Sequence, residues 1–475
     1  MWHRDAVIYQ VYPRSFQDSD GDGVGDLEGI RSRLDHLVDL GVDGLWLSPI
    51  YPSPLADFGY DVSDHTAIDP VFGTLEGFDA LVAEARQRGL RLLMDVVPCH
   101  TSIEHTWFRE HPDWYIWSER PNNWLAAFGG SAWTKLGARY YLHSFYPEQP
   151  DLDWRNPELV AAMQEVFRFW LDRGAAGYRL DAIDRLLKDA ELRDEPPASE
   201  PFGLPLRGEE ASLARVMSRN APGTGEALAH IREACGPEAF LVGEIYLPST
   251  DWRPYLEHLD AGFAFELFHS PWEGGPLRRA VEATLSVREA GAAWVLSNHD
   301  FPRLPNRVGH ENVRAAAMLL LTLPGTAFVY QGDEIGMVDG PGATPPRDRA
   351  GRDSHRHPMQ WDPSPGGGFS DGEPWLSSVD PVDRNVEAQR IDPGSLLSLY
   401  RDLIALRPGL GEGFELIEAA PGVLAYRRGE HVVALNTTAE ERPAPPVAGA
   451  VLETEPGALR GGELAPHAGV VAASA

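Results

Sequence analysis

The chain has 475 residues, a formal net charge of −30 and a composition that is 43% hydrophobic and 24% charged. Such an acidic surface repels phosphate backbones and anionic lipid headgroups, which argues against nucleic acid or a membrane face as the main partner. The apolar content is typical of a packed globular protein and excludes a disordered chain.

Cysteine content and targeting signals bear on the cellular location. Cys99 and Cys235 are too few for a disulfide framework or a four-thiolate metal site. Residues 1–5 lack the basic-then-apolar pattern of a signal peptide, and the longest apolar stretch, 315–329, is interrupted by Pro324 and is too short to span a bilayer. We therefore expect a soluble cytoplasmic protein, monomeric or homodimeric, with a ligand that is neutral, cationic or associated with a metal.

Short β-branched or aromatic runs alternate along the chain with stretches of helical periodicity. The predicted strands are 6–11, 44–47, 91–97, 177–181, 240–244, 262–267, 293–297 and 326–330. Apolar residues recur at helical spacing between most of them, as at Phe78, Leu81, Val82 and Ala85. The alternation predicts an α/β fold in which eight parallel strands close a (β/α)8 TIM barrel.

Two segments depart from this alternation. Segment 100–154, after the third predicted strand, is rich in Trp, Pro, Asn and Gly and is too long for an ordinary crossover, so it predicts an inserted subdomain. Segment 407–475 carries short strands separated by turn residues, which predicts a C-terminal β-sandwich domain. The barrel itself is assigned to residues 1–99 and 155–406.

Carboxylates follow the carboxyl ends of several predicted strands, which is the end of the barrel where active sites lie in this kind of fold. Asp181, Glu244 and Asp300 come from three separate strands, and Arg179, His100 and His299 accompany them. One strand-end Asp is more often a helix cap or a salt-bridge partner, but three converging carboxylates are hard to explain as caps. Paired carboxylates at one mouth are the equipment for cleaving glycosidic bonds.

The surroundings of these residues suggest their roles. A cationic Arg179 would hold Asp181 ionised for attack on the anomeric carbon. Glu244 follows an apolar run, so we expect its pKa to be raised for proton donation. Asp300 would bind sugar hydroxyls and keep Glu244 protonated by repulsion. The trio could instead bind a metal, but no His-x-x-x-His or His-x-His pair lies in the strand-end segments that carry the three carboxylates.

At these residues the sequence resembles the α-amylase superfamily, glycoside hydrolase family 13. The segments similar to its four hallmark regions are Asp95-Val96-Val97-Pro98-Cys99-His100, Gly177-Tyr178-Arg179-Leu180-Asp181-Ala182, Gly243-Glu244 and Asn298-His299-Asp300. The resemblance implies a retaining double displacement with Asp181 as nucleophile, Glu244 as acid/base and Asp300 as transition-state stabiliser. It also implies that His100, Arg179 and His299 hold the sugar in the first subsite.

Other segments resemble the oligo-1,6-glucosidase and α-glucosidase subgroup, among them Gln149-Pro150-Asp151-Leu152-Asp153-Trp154 and Arg356-His357-Pro358-Met359-Gln360-Trp361. The resemblance implies that Asp57 binds the outer hydroxyls of a terminal glucose, that Tyr60 and Phe145 stack on its ring, and that Arg356 closes the pocket over the non-reducing end. A small Ala182 after the nucleophile is associated in this subgroup with α-1,4 linkages.

Three positions depart from the family pattern. Cys99 stands where the family usually carries Asn, Asp153 replaces an Asn in the inserted-segment motif, and His65 stands where Tyr is common. The Cys99 substitution argues against the calcium site that some amylases build near this position. The His65 substitution bears on how the barrel mouth is packed.

The loop 18–26 places carboxylates at alternate positions with glycines between them. The loop matches positions 1, 3, 5, 7 and 9 of a calcium loop and its Gly at position 6. Position 12 carries Gly29 in place of the closing Glu. A plain acidic turn is the alternative, although four clustered carboxylates repel without a cation. The resemblance also implies Ca²⁺ or Mg²⁺ here. The predicted ligands are Asp18, Asp20, Asp22 and Asp26 through their side chains and Val24 through its backbone.

The leading hypothesis is an exo-acting retaining α-glucosidase that acts on short α-glucosides, with a mild preference for α-1,4 linkages and with no organic cofactor. A glucosyltransferase, a trehalose- or sucrose-acting enzyme and a trehalose synthase on the same fold are the close alternatives. Relatives of the family also include non-catalytic partner subunits of transporters, which carry a membrane helix and lack the carboxylates. A bare sugar-binding protein is the other non-enzymatic alternative.

Overall fold

The structure is a computed structural model and describes residues 2–199, 204–205, 211–288 and 291–474. The first elements are β1 (Val7–Val11), α1 (Leu27–Ser32), α2 (Leu34–Leu40), β2 (Gly44–Leu47), α3 (Leu75–Gln87) and β3 (Arg91–Val96). Phe78, Leu81, Val82 and Ala85 of α3 are buried, as their spacing predicts. α1 and α2 are separate helices that break at Arg33.

A small antiparallel sheet lies between the third barrel strand and the next barrel helix. Its elements are α4 (Thr106–Glu110), β4 (Trp117–Ser118), β5 (Trp133–Leu136) and β6 (Arg139–Leu142), with strand order β4-β6-β5. Trp124, Trp133 and Leu142 pack into a core of their own. A β-bridge between His100 and Asp151 joins the two ends of the segment beside the barrel mouth.

The chain then returns to alternating helices and strands. These are α5 (Pro157–Asp172), β7 (Gly177–Leu180), α6 (Thr224–Cys235), β8 (Phe240–Gly243), α7 (Arg253–Leu256), β9 (Ala261–Phe263), α8 (Phe265–His269), α9 (Gly274–Val287), β10 (Ala292–Val295), α10 (Leu304–Val308), α11 (Val313–Thr322), β11 (Thr326–Tyr330), α12 (Val386–Ile391) and α13 (Leu396–Leu406). Asn156 caps α5 by accepting from the N–H groups of Glu158 and Leu159, and Pro157 supplies the first-turn residue.

Within the described residues, eight parallel strands close a barrel in the order β1-β2-β3-β7-β8-β9-β10-β11, which confirms the predicted (β/α)8 fold. Its register sets Asp95 of β3 opposite Arg179 of β7, and Arg179 opposite Val242 of β8. The predicted strand 262–267 is shorter than expected, because the chain turns helical at Phe265. A short apolar run does not distinguish a buried strand from a buried helix.

Residues 414–474, all of them described, form the C-terminal sandwich. Its strands are β12 (Phe414–Leu416), β13 (Val423–Arg428), β14 (His431–Asn436), β15 (Arg442–Pro443), β16 (Val447–Glu453), β17 (Leu459–Arg460), β18 (Glu463–Leu464) and β19 (Gly469–Ser474). They make a five-stranded sheet, β12-β13-β14-β19-β16, and a three-stranded sheet, β15-β18-β17. Val470 faces Leu464 of the smaller sheet, whereas Val471 belongs to the core shared with the barrel.

The described helices include none with the length and apolar character that a bilayer crossing requires.

A pair of buried histidines joins the barrel mouth to the inserted segment. His65 Nε2 donates to the Val97 carbonyl at 3.2 Å, and His105 Nδ1 accepts the Trp107 N–H at 3.1 Å. His65 Nδ1 therefore accepts from His105 Nε2, 3.3 Å away, and each ring carries one proton. Burial lowers the pKa of His65 to about 4 and that of His105 to about 3.

This pair makes the fold sensitive to acid. Above pH ~6.5 both rings are neutral in the folded chain and in the unfolded chain, so their contribution to stability is complete. As the pH falls from there toward 4, the unfolded chain takes up protons that the folded chain refuses, and the free energy of unfolding falls by about 1.4 kcal/mol per pH unit for each ring. We expect His65→Tyr to reduce the pH dependence of the free energy of unfolding, measured by urea unfolding between pH 7 and 5, by about 1.4 kcal/mol per pH unit. The exposed-histidine variant His230→Gln is the control; a His65→Tyr slope equal to the wild-type slope would contradict the expectation.

Candidate active site

A pocket of about 150 Å³ opens at the carboxyl ends of the barrel strands. The residues that line it are Asp57, Tyr60, His100, Ala127, Phe128, Phe145, Asp181, Ala182, Asp184, Arg185, Pro205, Arg219, Glu244, Tyr246, Asp300, Phe301 and Arg352. Asp181 directly follows β7, Glu244 directly follows β8, and Asp300 lies in the loop after β10. Parallel strands end at one rim of the barrel, which is why the three carboxylates meet.

One arginine holds three of the carboxylates. Arg179 Nη1 contacts Asp181 Oδ1 at 2.6 Å and Asp95 Oδ1 at 2.9 Å, and Nη2 contacts Glu244 Oε2 at 2.7 Å. Arg179 is buried behind the pocket surface, with its guanidinium carbon 5.2 Å from the centre of the Trp46 ring. Adjacent nitrogens of one guanidinium thus hold Asp181 and Glu244 side by side.

Two of the carboxyl groups around Arg179 have raised pKa values. Burial raises the pKa of Asp181 well above its ordinary value, and Glu244 and Asp95 raise it further against the lowering by Arg179. Burial also raises the pKa of Asp95 to about 6, again against Arg179. Arg179 thus lowers the pKa of Asp181, as the sequence suggested, but it does not offset the burial of that carboxyl group.

A chain of hydrogen bonds orients Tyr60 and His299. Gln10 Nε2 donates to His299 Nδ1 at 2.7 Å, so the proton of the neutral ring is on Nε2, which lies 3.2 Å from Asp300 Oδ2 and 2.7 Å from Tyr60 Oη. The Tyr60 hydroxyl in turn donates to Asp95 Oδ2 at 2.9 Å. Burial lowers the pKa of His299 well below its usual range, so the ring stays neutral, and the hydrogen bond from Gln10 fixes its tautomer. Tyr60 lines the pocket, and His299 supports it from behind.

Arg352 joins two walls of the pocket. Its Nη2 lies 2.5 Å from Asp57 Oδ1 and its Nη1 lies 2.9 Å from Asp300 Oδ1, while its Nε contacts Asp348 at 2.6 Å. Gln149 holds the other Asp57 oxygen at 2.9 Å. Burial opposes ionisation of Asp300, but the two cations Arg352 and Arg356 outweigh it and hold the pKa of that carboxyl well below its usual range.

Arg352, and not Arg356, is the arginine that lines the pocket, which corrects the sequence-based assignment. Arg356 is fully buried one layer deeper, where its Nε donates to the His299 carbonyl at 2.7 Å and its Nη2 lies 3.4 Å from Asp300. A short 3-10 turn, Arg352–His355, separates the two arginines. Both approach Asp300, but the turn directs only Arg352 into the cavity.

Aromatic rings form the opposite side of the pocket. Phe145 packs edge-on against His100 with ring centres 5.2 Å apart, and Phe128 lies 5.8 Å from Phe145. Burial lowers the pKa of His100 to about 3, so it meets a ligand as a neutral imidazole. The sequence singled out Phe145 and His100 but missed Phe128, which lies in an irregular segment without a motif.

Ala182, directly after Asp181, has a left-handed backbone with φ 44° and ψ 42°. Its N–H points to Glu244 Oε2 at 3.2 Å and thereby links the two carboxylates through the backbone as well. A left-handed residue other than glycine is uncommon and tends to persist where surrounding structure imposes it.

The acidic loop near the N-terminus lies outside this pocket. Oxygens of Asp18, Asp20 and Asp22 lie within 4.8 Å of one another, an all-oxygen donor set that fits Ca²⁺ or Mg²⁺. Asp26 is turned away from that group: it caps α1 by accepting the Gly29 N–H and also accepts from Ser19. The structure thus brings together three of the four predicted carboxylates. The N–H of Val24, whose carbonyl was the predicted ligand, donates to Asp22 at 2.7 Å.

Comparison with known proteins agrees with this geometry. The sequence model of the α-amylase catalytic-domain family matches residues 10–410 of this chain. A probable α-glucosidase of Rhizobium meliloti (strain 1021) is 39% identical over 90% of this chain and 87% of its own length, and an oligo-1,6-glucosidase of Parageobacillus thermoglucosidasius is 35% identical over 93% and 91%. The solved α-glucosyl transfer enzyme XgtA is 35% identical, with a TM-score of 0.94 over 100% of this chain and 99% of its own. The chain therefore belongs to the α-amylase family of glycoside hydrolases, family 13.

Proposed function

We propose that the enzyme is an exo-acting, retaining α-glucosidase that releases glucose from the non-reducing end of short α-glucosides, with a mild preference for α-1,4 linkages. The ion pair of Asp57 and Arg352 supports this proposal most directly, because it forms a fixed polar wall beside Asp300. Such a wall can hold the hydroxyls of a terminal glucose and obstruct a continuing chain. The small Ala182 beside Asp181 supports the linkage preference.

In the proposed reaction, Asp181 acts as the carboxylate nucleophile and Glu244 as the carboxylic acid. Asp181 attacks the anomeric carbon while Glu244 gives its proton to the departing oxygen, so the glycosidic bond breaks and a glucosyl ester forms. Glu244 then takes a proton from water, which displaces Asp181 and restores its carboxylate. Asp300, held ionised by Arg352 and Arg356, binds ring hydroxyls through both steps.

A product time course tests this proposal. We expect maltose to be cleaved faster than isomaltose, sucrose, trehalose or kojibiose, and maltotriose to lose one glucose at a time. Proton NMR at early times should show α-glucose as the first product, because two displacements preserve the anomeric configuration. First release of β-glucose, or of internal fragments from longer chains, would overturn the proposal.

Glucosyl transfer is the second candidate, and the likeness to XgtA favours it. Water and a sugar hydroxyl attack the same glucosyl ester, so the acceptor side of the pocket decides between them. Mass analysis in the same time course separates the two: products longer than the substrate identify transfer, and free glucose in excess of the aglycone-derived glucose identifies hydrolysis.

We also propose that the loop of Asp18, Asp20 and Asp22 binds one Ca²⁺ or Mg²⁺ as a structural ion. Asp18 is held in place by N–H groups of Asp20, Gly21 and Gly23, and these hydrogen bonds keep the loop closed. Asp20 and Asp22 are exposed, so an ion reaches them from solvent. Its charge would offset the repulsion between the three carboxylates.

We expect CaCl2 to raise the melting temperature by a few degrees over EDTA, because an ion at 100 times its Kd stabilises the folded state by about 2.7 kcal/mol. In the double variant Asp20→Asn/Asp22→Asn, the side-chain amide oxygens can still accept the backbone N–H groups of the turn. The variant should lose the rise in melting temperature with CaCl2. Asp383→Asn, at an exposed aspartate outside the loop, should keep it. Equal melting temperatures of wild type in EDTA and in CaCl2 or MgCl2 would refute the site.

A further inference from the structure

A second group of potential metal ligands lies at the floor of the catalytic pocket. Ligand atoms of Cys99, His100 and Asp181 all lie within 4.8 Å of one another, and all three side chains are buried. The cluster therefore places a thiol directly beside the carboxylate to which the proposed function gives the nucleophilic role.

The imidazole of this group has unused bonding capacity. His100 Nδ1 is buried and makes no hydrogen bond within the described part of the chain, and Nε2 has a long contact of 3.5 Å with the Gln149 amide nitrogen. A buried ring nitrogen without a partner is costly unless a ligand can use it. His100 and Asp181 also line the pocket, so an ion can reach the group from solvent.

Two cations act on the thiol and the imidazole of this group, Lys188 and Arg185. Lys188 is neutralised by Asp151 at 2.6 Å, with both groups buried, and the guanidinium carbon of Arg185 lies 5.0 Å from the centre of the Phe145 ring. Arg179 engages Asp181 Oδ1, and a carboxylate has a second oxygen to offer. Coordination would replace the proton of the Cys99 thiol and release it to water.

The donor types select the ion. Ca²⁺ and Mg²⁺ take oxygen ligands, whereas a sulfur, an imidazole nitrogen and a carboxylate oxygen are the ligands of zinc and chemically similar ions. Three protein ligands leave a fourth position for water or a sugar hydroxyl. We propose that Cys99, His100 and Asp181 bind Zn²⁺ or a similar thiophilic divalent ion, and that the bound ion blocks glucosyl transfer to Asp181.

Cobalt absorption tests the binding directly and does not require enzyme activity. With the acidic loop saturated by CaCl2, CoCl2 added to the wild type should produce a thiolate-to-cobalt charge-transfer band that saturates at one ion per chain. Cys99→Ser and Cys99→Asn should lack the band, and Cys235→Ser, which removes the other buried thiol, should retain it. No band in the wild type at millimolar Co²⁺, or an equal band without the Cys99 thiol, would overturn the site.

Inhibition tests the second half of the proposal, which rests on the proposed function. ZnCl2 should inhibit hydrolysis of a nitrophenyl α-glucoside, and EDTA should reverse it. Loss of a direct ligand should raise the half-inhibitory concentration by about 100-fold or more in Cys99→Ser, with no change in Cys235→Ser. Equal zinc sensitivity of wild type and Cys99→Ser would refute blockage through this site. An enzyme inactive on glucosides would refute the proposed function, while the cobalt band would still decide the metal site.

Discussion

Asp181→Asn should lower kcat on a nitrophenyl α-glucoside by about 10⁴-fold or more. The amide has the same shape as the carboxylate, and its oxygen can still accept from Arg179, so the pocket should remain assembled. It is a very poor nucleophile and cannot form the glucosyl ester. Steady-state kinetics should show the loss in kcat, and circular dichroism should show an unchanged fold.

Asp153→Asn is the matched control, because it makes the same chemical change at a half-buried aspartate outside the pocket lining. We expect its kcat to stay within a few-fold of the wild type. If Asp181→Asn kept more than a small fraction of the activity, another group would have to be the nucleophile.

Arg352→Ala should have the second large effect, on both catalysis and stability. The substitution leaves Asp57, Asp300 and Asp348 without their shared cation, and removing one partner of a buried ion pair costs about 3–5 kcal/mol. We expect kcat/KM to fall by about 10³-fold, since repulsion would move Asp57 and Asp300 from their hydroxyl-binding positions. The melting temperature should fall by several degrees in the same variant.

Two further variants sharpen this test. Arg352→Lys keeps the charge but cannot reach three carboxylates with one ammonium, so it should recover stability better than activity. Arg349→Ala removes an exposed arginine whose ion pair with Glu148 lies at the surface, and it should change little. Arg352→Ala with kinetics and stability like those of Arg349→Ala would show that the Asp57 wall does not depend on this cation.

The barrel and its carboxylates could be predicted because both depend on short-range patterns. Asp181 and Glu244 follow buried runs that end at a polar residue, and the parallel topology brings such ends to one rim. Phe265 shows where this reasoning fails: it continues an apolar run, yet the chain there turns helical. Local hydrophobicity alone does not distinguish the two states.

The role of Arg352 could not be read from the sequence. It lies in the long irregular connection between β11 and α12. Four arginines of this connection are candidates for the pocket wall: Arg347, Arg349, Arg352 and Arg356. Only the 3-10 turn decides which guanidinium enters the pocket, and no periodicity signals it. Asp26, in contrast, had a readable signal, since an Asp just before a helical stretch is a preferred cap.

The left-handed backbone of Ala182 limits how the specificity of this enzyme can be redesigned. A branched residue such as Val is a steric outlier at φ 44°. The substitution would alter the sugar contacts and also press on the peptide that links Asp181 to Glu244. A substitution of Ala182 by a branched residue therefore changes substrate preference and catalytic geometry together. An informative series of substitutions would include Gly and Asn, which tolerate the left-handed backbone.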